Sequence, residues 1–136
     1  MSKYIRLRDA LTYCKEMRID TGQFNNWQDL PCACCTCGKI LTVREADCGH
    51  FISRGSGGQS GVYFDERNCH FQCRSCNRFN QGRTLEYNDF MLEKYGQEVV
   101  DELRKKDKVL IRKRSVMVLA FYKYYKEAYQ KLLDSI

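Results

Sequence analysis

The sequence predicts an α+β fold in which a metal-braced centre of short strands and loops is flanked by helices. Three observations predict it. Eight of the nine cysteines fall between Cys32 and Cys76, glycines and short mixed runs replace helical periodicity from Leu30 to Gly82, and apolar residues recur at helical spacing on both sides. With 136 residues, 43% hydrophobic and 12% aromatic, the chain suits one domain over 1–136. Within it we expect an N-terminal helical segment at 1–29, a cysteine-rich core at 30–83 and a C-terminal helical segment at 84–136.

Tyr4, Ile5, Leu7, Leu11, Cys14 and Met17 partly match one helical face, predicting a helix over about residues 3 to 18 that ends before Gly22. "KILTVREAD" has strand character, with Leu41 and Val43 on one face. "GVYF" followed by "NCHFQC" supplies a second strand, with the Gly/Ser loop "SRGSGGQSG" between the two. A helix should begin near Cys73 or Ser75 and stop at Gly82. "TLEYNDFMLEKYG" then shows a helical pattern through Leu85, Phe90, Leu92 and Tyr95, with Thr84 as cap and Gly96 as terminator; "QEVVDELRKK" begins another helix. The last segment is apolar at Val116, Leu119, Ala120, Tyr124, Ala128 and Leu132, with Ser115 available as a cap.

No apolar run approaches the roughly 20 residues that cross a bilayer, and charges interrupt the N-terminus where a signal peptide needs an apolar block. A soluble, intracellular protein is expected. For such a protein the odd cysteine count favours metal binding over disulfides. The net charge of +6 equals that of Arg104–Arg114, which holds seven basic residues and one acid. Such a block suits a polyanion, although a charge run alone is more often a solvated face.

Two C-x-x-C pairs from separate parts of a chain supply the four thiolates that tetrahedral zinc prefers. "CRSC" gives Cys73 and Cys76, and "CCTC" gives Cys34 and Cys37, followed by a Gly38 that permits a tight turn. The overlapping pair Cys32 and Cys35 has the same spacing, and an iron-sulfur cluster uses the same four ligands. Cys14, Cys48 and Cys69 are expected to be small buried hydrophobes.

Between the pairs lies "EADCGHF", and Asn77 follows directly on the second pair. An imidazole with a pKa near about 6.5 can take a proton from water, while a carboxylate and an amide oxygen hold a hard divalent cation. We therefore expect His50 to activate water and Asp47 and Asn77 to hold catalytic Mg²⁺ or Mn²⁺. The bland alternatives for His50 are a zinc ligand or a surface histidine.

The order C-x-x-C, histidine at a strand end, asparagine turn, C-x-x-C-N resembles the zinc-braced His-Asn-His (HNH, ββα-metal) endonucleases of the endonuclease VII type. "LPC", "ADCGHF", "FDERNCHFQCRSCN" and "YGQEVVDEL" look like the NinG (Rap) recombination endonucleases of lambda-like phages, over about residues 29 to 103. The resemblance implies a zinc-braced ββα-metal core with His50 as general base, Asn68 as turn-stabilising asparagine and Asn77 as metal ligand at a helix start. Asn80, one turn on, falls where relatives carry a basic or acidic residue. The residue before the histidine is usually acidic in HNH enzymes, whereas Gly49 stands here, and alternation puts Asp47 on the same face as Gly49. His70 either touches the site or turns into the core.

Arg54 and Arg78, then Arg67 and Arg74, flank this site as candidate phosphate contacts, and Lys105, Lys106, Arg112 and Lys113 belong to the basic block. The resemblance implies cleavage of branched DNA such as Holliday junctions or D-loops during phage recombination, in the cytoplasm of the bacterial host. Paired cuts would use a homodimer, for which the apolar C-terminal helix is available. The alternatives are a zinc-dependent DNA-binding module without catalysis and an HNH nuclease of linear DNA.

Overall fold

The computed structural model describes residues 1–53, 60–109 and 115–136. Helix α1 (Ser2–Glu16) buries Leu7, Ala10 and Cys14 on one face, and Ile5 on the opposite one. After two single 3-10 turns come strands β1 (Pro31–Ala33) and β2 (Ile40–Thr42), an antiparallel pair in which Cys32 opposes Leu41. A 3-10 turn at Val43–Glu45 follows, closed by a capping box in which the Glu45 carboxylate accepts from the Thr42 amide and hydroxyl. The run "KILTVREAD" is thus divided by this turn between β2 and the start of the next strand.

Strand β3 (Ala46–His50) pairs antiparallel with β4 (Cys69–Cys73), setting Asp47 opposite Gln72, Gly49 opposite His70 and His50 opposite Cys69. "GVYF", expected to begin the second strand, is a turn at residues 61–64, so β4 consists of "CHFQC" alone. The segment after β4 is a single π-helical turn, Ser75–Phe79, rather than a regular α-helix. It ends at Gln81–Gly82, both at positive φ.

Helices α2 (Thr84–Tyr95), α3 (Gln97–Asp107) and α4 (Ser115–Leu133) complete the described fold. Gly96, at φ 82°, terminates α2, and its amide returns to the Leu92 carbonyl. Thr84 does not cap α2: it is the first helical residue, and Arg83 occupies the cap position without a side-chain capping bond. The buried face of α2 is Tyr87 and Met91, while Leu85 is 80% exposed. On α4 the buried residue is Tyr125, whereas Val116, Leu119 and Tyr124 of the expected apolar face are exposed.

Helix α1 lies against both strands of the second sheet: Leu7, Ala10 and Cys14 pack with Val43, Ala46 and Phe71. It also covers the outer edge of β4. Asp9 accepts the Phe71 amide at 2.8 Å and Arg8 donates to the Cys69 carbonyl at 2.9 Å, so backbone groups left without a neighbouring strand are satisfied. A second apolar cluster joins Val62, Tyr87, Met91, Val100 and Leu103. The described residues thus form a mixed fold of helices and two small sheets, and none of their helices is long and apolar enough to cross a membrane.

Candidate metal centre and active-site cleft

The turn after β1 and the turn after β4 bring two cysteine pairs together. The Sγ atoms of Cys34, Cys37, Cys73 and Cys76 all lie within 4.8 Å of one another, with Cys37 and Cys73 at 3.9 Å. Four sulfurs on arms of about 2.3 Å around a tetrahedral ion stand about 3.8 Å apart, so this cluster fits zinc. Gly38, at φ 72°, lets the first knuckle close. The Cys73 amide donates to Cys34 Sγ at 3.3 Å and the Cys76 amide to Cys73 Sγ at 3.4 Å, which favours thiolates. Burial pushes the Cys34 thiol up, but the Cys73 amide and the Thr36 hydroxyl outweigh it and bring it below the ordinary thiol value.

Cys32 and Cys35 point elsewhere. Cys32 sits in the core against α1, Cys35 against the second apolar cluster, and burial raises both thiols. The four-cysteine cluster can therefore hold a metal such as zinc through the Cys34/Cys37 pair. Gln72, fully buried in β4, ties the two knuckles by donating to Thr36 Oγ1 at 3.1 Å and to the Gly82 carbonyl at 2.9 Å. Sequence reasoning missed Gln72, although alternation along its own strand puts it on the face of His70.

An open cleft of about 530 Å³ runs beside β3, lined by Met1, Ser2, Asp47, Cys48, His50, Tyr63, Asn77 and Arg78. Asp47 is its organised centre. The carboxylate accepts from Asn77 Nδ2 at 3.0 Å and from Arg78 Nε and a terminal guanidinium nitrogen at 2.6 and 2.8 Å, with Arg74 at 3.9 Å. Burial raises the Asp47 carboxyl, but these donors prevail and hold it below the usual carboxylate range. Tyr63 was not foreseen, and nothing in "GVYF" marks it.

The position directly before His50 has no room for a side chain. A Cβ on Gly49 would stand 2.2 Å from Gln72 Oε1 and 2.9 Å from Gln72 Cβ, so any side chain there displaces Gln72 from the cysteine knuckles. Asn68 holds the end of the strand: its amide side chain receives the Ile52 amide at 2.8 Å and donates to the Ile52 carbonyl at 2.9 Å.

His70 lies in the core, away from the cleft. Its Nδ1 and Nε2 are each 3.0 Å from a tyrosine hydroxyl, Tyr87 and Tyr95. Since Tyr87 donates its own proton to the Gly49 carbonyl at 3.2 Å, Nδ1 carries the hydrogen and Nε2 accepts from Tyr95. Burial lowers the His70 pKa well below its ordinary value, so the ring is neutral. It buttresses the peptide that precedes His50.

Asn80 turns back onto Ser75 and lines the groove by the cysteine cluster, not the Asp47 cleft. Arg67 is held by Asp65 and Glu102, and Lys106 by Asp65 at 2.7 Å; Lys105 is exposed. Arg54, Arg112 and Lys113 lie outside the described residues. Cys69 is buried as expected, but Cys48 reaches the cleft.

A four-thiol cluster beside two small sheets flanked by helices defines a small, cysteine-clustered α+β protein. The chain belongs to the family described as bacteriophage lambda NinG protein, whose model matches residues 2–134. It is 38% identical over 99 residues to "Protein ninG" of Escherichia phage 933W, 36% to that of Salmonella phage P22 and 31% to that of Escherichia phage lambda. Each match covers 73% of this chain and 47–48% of the relative, so the chain spans about half the length of the relatives it matches. No solved structure matches it.

Proposed function

We propose that the chain is a metal-dependent endonuclease hydrolysing phosphodiester bonds in branched DNA, built on a zinc-braced HNH core formed by β3, β4 and the Ser75–Phe79 turn. The observation that carries this reading is one cleft lined by Asp47, His50, Asn77 and Arg78, with the last two supplied by the turn that the cysteine cluster anchors. Asp47 and Asn77 are the residues that would hold Mg²⁺ or Mn²⁺, a charge that offsets the negative charge developing on the leaving oxygen. His50 takes the proton of the attacking water. Arg78, now paired with Asp47, is free to turn to a phosphate once a cation neutralises that carboxylate. Zinc at the four cysteines holds the turn bearing Asn77 against the strand bearing Asp47.

The preference for branched DNA rests on the family alone. Incubating the purified protein with a four-way junction and a duplex of matched sequence, in magnesium or manganese, tests both parts. Cutting of the junction in preference to the duplex is expected. Equal cutting would assign the protein to linear DNA, and binding without cutting in either metal would overturn the nuclease reading. The latter outcome would favour a zinc-bound DNA-binding module, for which the closed Asp47–Arg78 pair is the supporting observation.

A further inference from the structure

Two cysteines outside the four-thiol cluster share a face with the histidine assigned as base. In the β3–β4 register His50 stands directly opposite Cys69, and Cys48, two residues before His50, lies diagonally across from Cys69 on the same face. One donor atom from each of Cys48, His50 and Cys69 falls within 4.8 Å of the others. Cys69 is fully buried, whereas Cys48 and His50 line the cleft.

We propose that Cys48, His50 and Cys69 form a second metal site, an open one, which takes a thiophilic divalent cation of the zinc type. The donor set argues for this class: two thiolates and an imidazole suit zinc or cobalt and reject magnesium, which takes oxygen ligands. Three protein ligands leave a tetrahedral ion one position short, and the cleft lies on the side from which Cys48 and His50 are reached. The four-cysteine cluster is closed by comparison, with all four positions taken by the chain.

The site stands on this donor geometry. Its consequence for catalysis rests on the nuclease reading: His50 engaged by a metal ion cannot accept a proton, so zinc beyond the first equivalent stops cleavage in magnesium.

Cobalt titration of the metal-free protein, under argon with a non-thiol reductant, tests the site without reference to DNA. Visible absorption separates an all-thiolate ion from one bound by two thiolates and an imidazole. The parent should take up about two equivalents, and Cys48→Ser and His50→Gln about one each, with the all-thiolate spectrum unchanged. A parent that saturates at about one equivalent overturns the proposal, as does a second equivalent that survives in both variants. Should Cys48→Ser fail to fold, His50→Gln and the parent stoichiometry still decide. Failure here leaves cleavage in magnesium untouched, and absence of cleavage leaves the metal count untouched.

Discussion

Asn77 donates its side-chain amide to Asp47 at 3.0 Å across an interval of 30 residues, joining the turn after the second cysteine pair to the strand that ends at His50. Neither residue would be held there by local structure alone. The π-helical turn that carries Asn77 is a single turn, and such turns need outside support, here Cys76 at one end and the Asn80 side chain on Ser75 at the other. Asn77→Ala is expected to keep its structural zinc and fold while losing about 10²-fold or more of DNA cleavage. Unchanged cleavage by a zinc-loaded Asn77→Ala would remove Asn77 from the site.

The thiol cluster makes a separate prediction. Cys73→Ser removes one ligand and the sulfur that receives the Cys76 amide, so bound zinc and cooperative unfolding should both be lost. Cys32→Ser breaks only core packing and should retain zinc. Elemental analysis of both variants checks this; zinc retained in a folded Cys73→Ser contradicts the assignment.

Gly49 and Gln72 are predicted to be coupled. Gly49→Ala should destabilise the protein by about 1–3 kcal/mol, because Gln72 must leave Thr36 and Gly82 to make room. In a Gln72→Gly background, which removes both the Oε1 and the Cβ contact, the same substitution should cost much less, a coupling that denaturant unfolding of the four proteins measures. Equal costs in both backgrounds would mean that Gln72 is not what excludes a side chain at Gly49.

Asp65 ties the turn before β4 to α3 through Lys106 at 2.7 Å, and within the turn it pairs with Arg67 at 2.9 Å. Burial raises its carboxyl, but these partners outweigh burial and hold it down to about 2, below the ordinary value near about 3.9. The sign follows: the unfolded chain binds this proton first, so the stabilisation is complete above about pH 4 and is lost as the pH falls towards about 2. Asp65→Asn should cost about 1–2 kcal/mol at neutral pH, allowing for solvent screening of the partly exposed Lys106, and flatten acid unfolding in that window. An acid-unfolding curve unchanged by Asp65→Asn would contradict this.

His70 works in a higher window. Its folded pKa is depressed by burial, so the unfolded chain protonates first below about pH 6.5, and stability is complete above that value and declines beneath it. Proton NMR of the two histidines separates this from acid loss of zinc: the His70 ring should stay neutral at pH 5.5, where an unperturbed imidazole is about 90% charged. Titration of His70 near about pH 6.5 would place it in solvent rather than between Tyr87 and Tyr95.

The four-cysteine cluster was legible because its members come in pairs fixed by short spacings. C-x-x-C followed by glycine is a knuckle whatever surrounds it. Choices settled by distant partners were not legible. The face of α2 is decided by Tyr87, whose hydroxyl is used on Gly49, and this leaves Leu85 in solvent. On α4 the packing of Tyr125 against Tyr4, and its hydroxyl bond to the Phe64 carbonyl, select the buried line over the more apolar Val116 and Leu119. His70 could be assigned to the core only once Tyr87 and Tyr95 were placed on either side of it. Cys48 and Cys69 passed for packing residues because their proximity depends on the pairing of β3 with β4, which their separation in sequence does not announce.

The central claim, that the cysteine-braced cleft is a nuclease site with His50 as base, is tested most directly by cleavage of a four-way DNA junction in magnesium by the parent and by His50→Ala. Junction cutting by the parent and a fall of about 10²-fold or more in the zinc-loaded, folded variant are predicted. Cutting by His50→Ala at the parent's rate would contradict it.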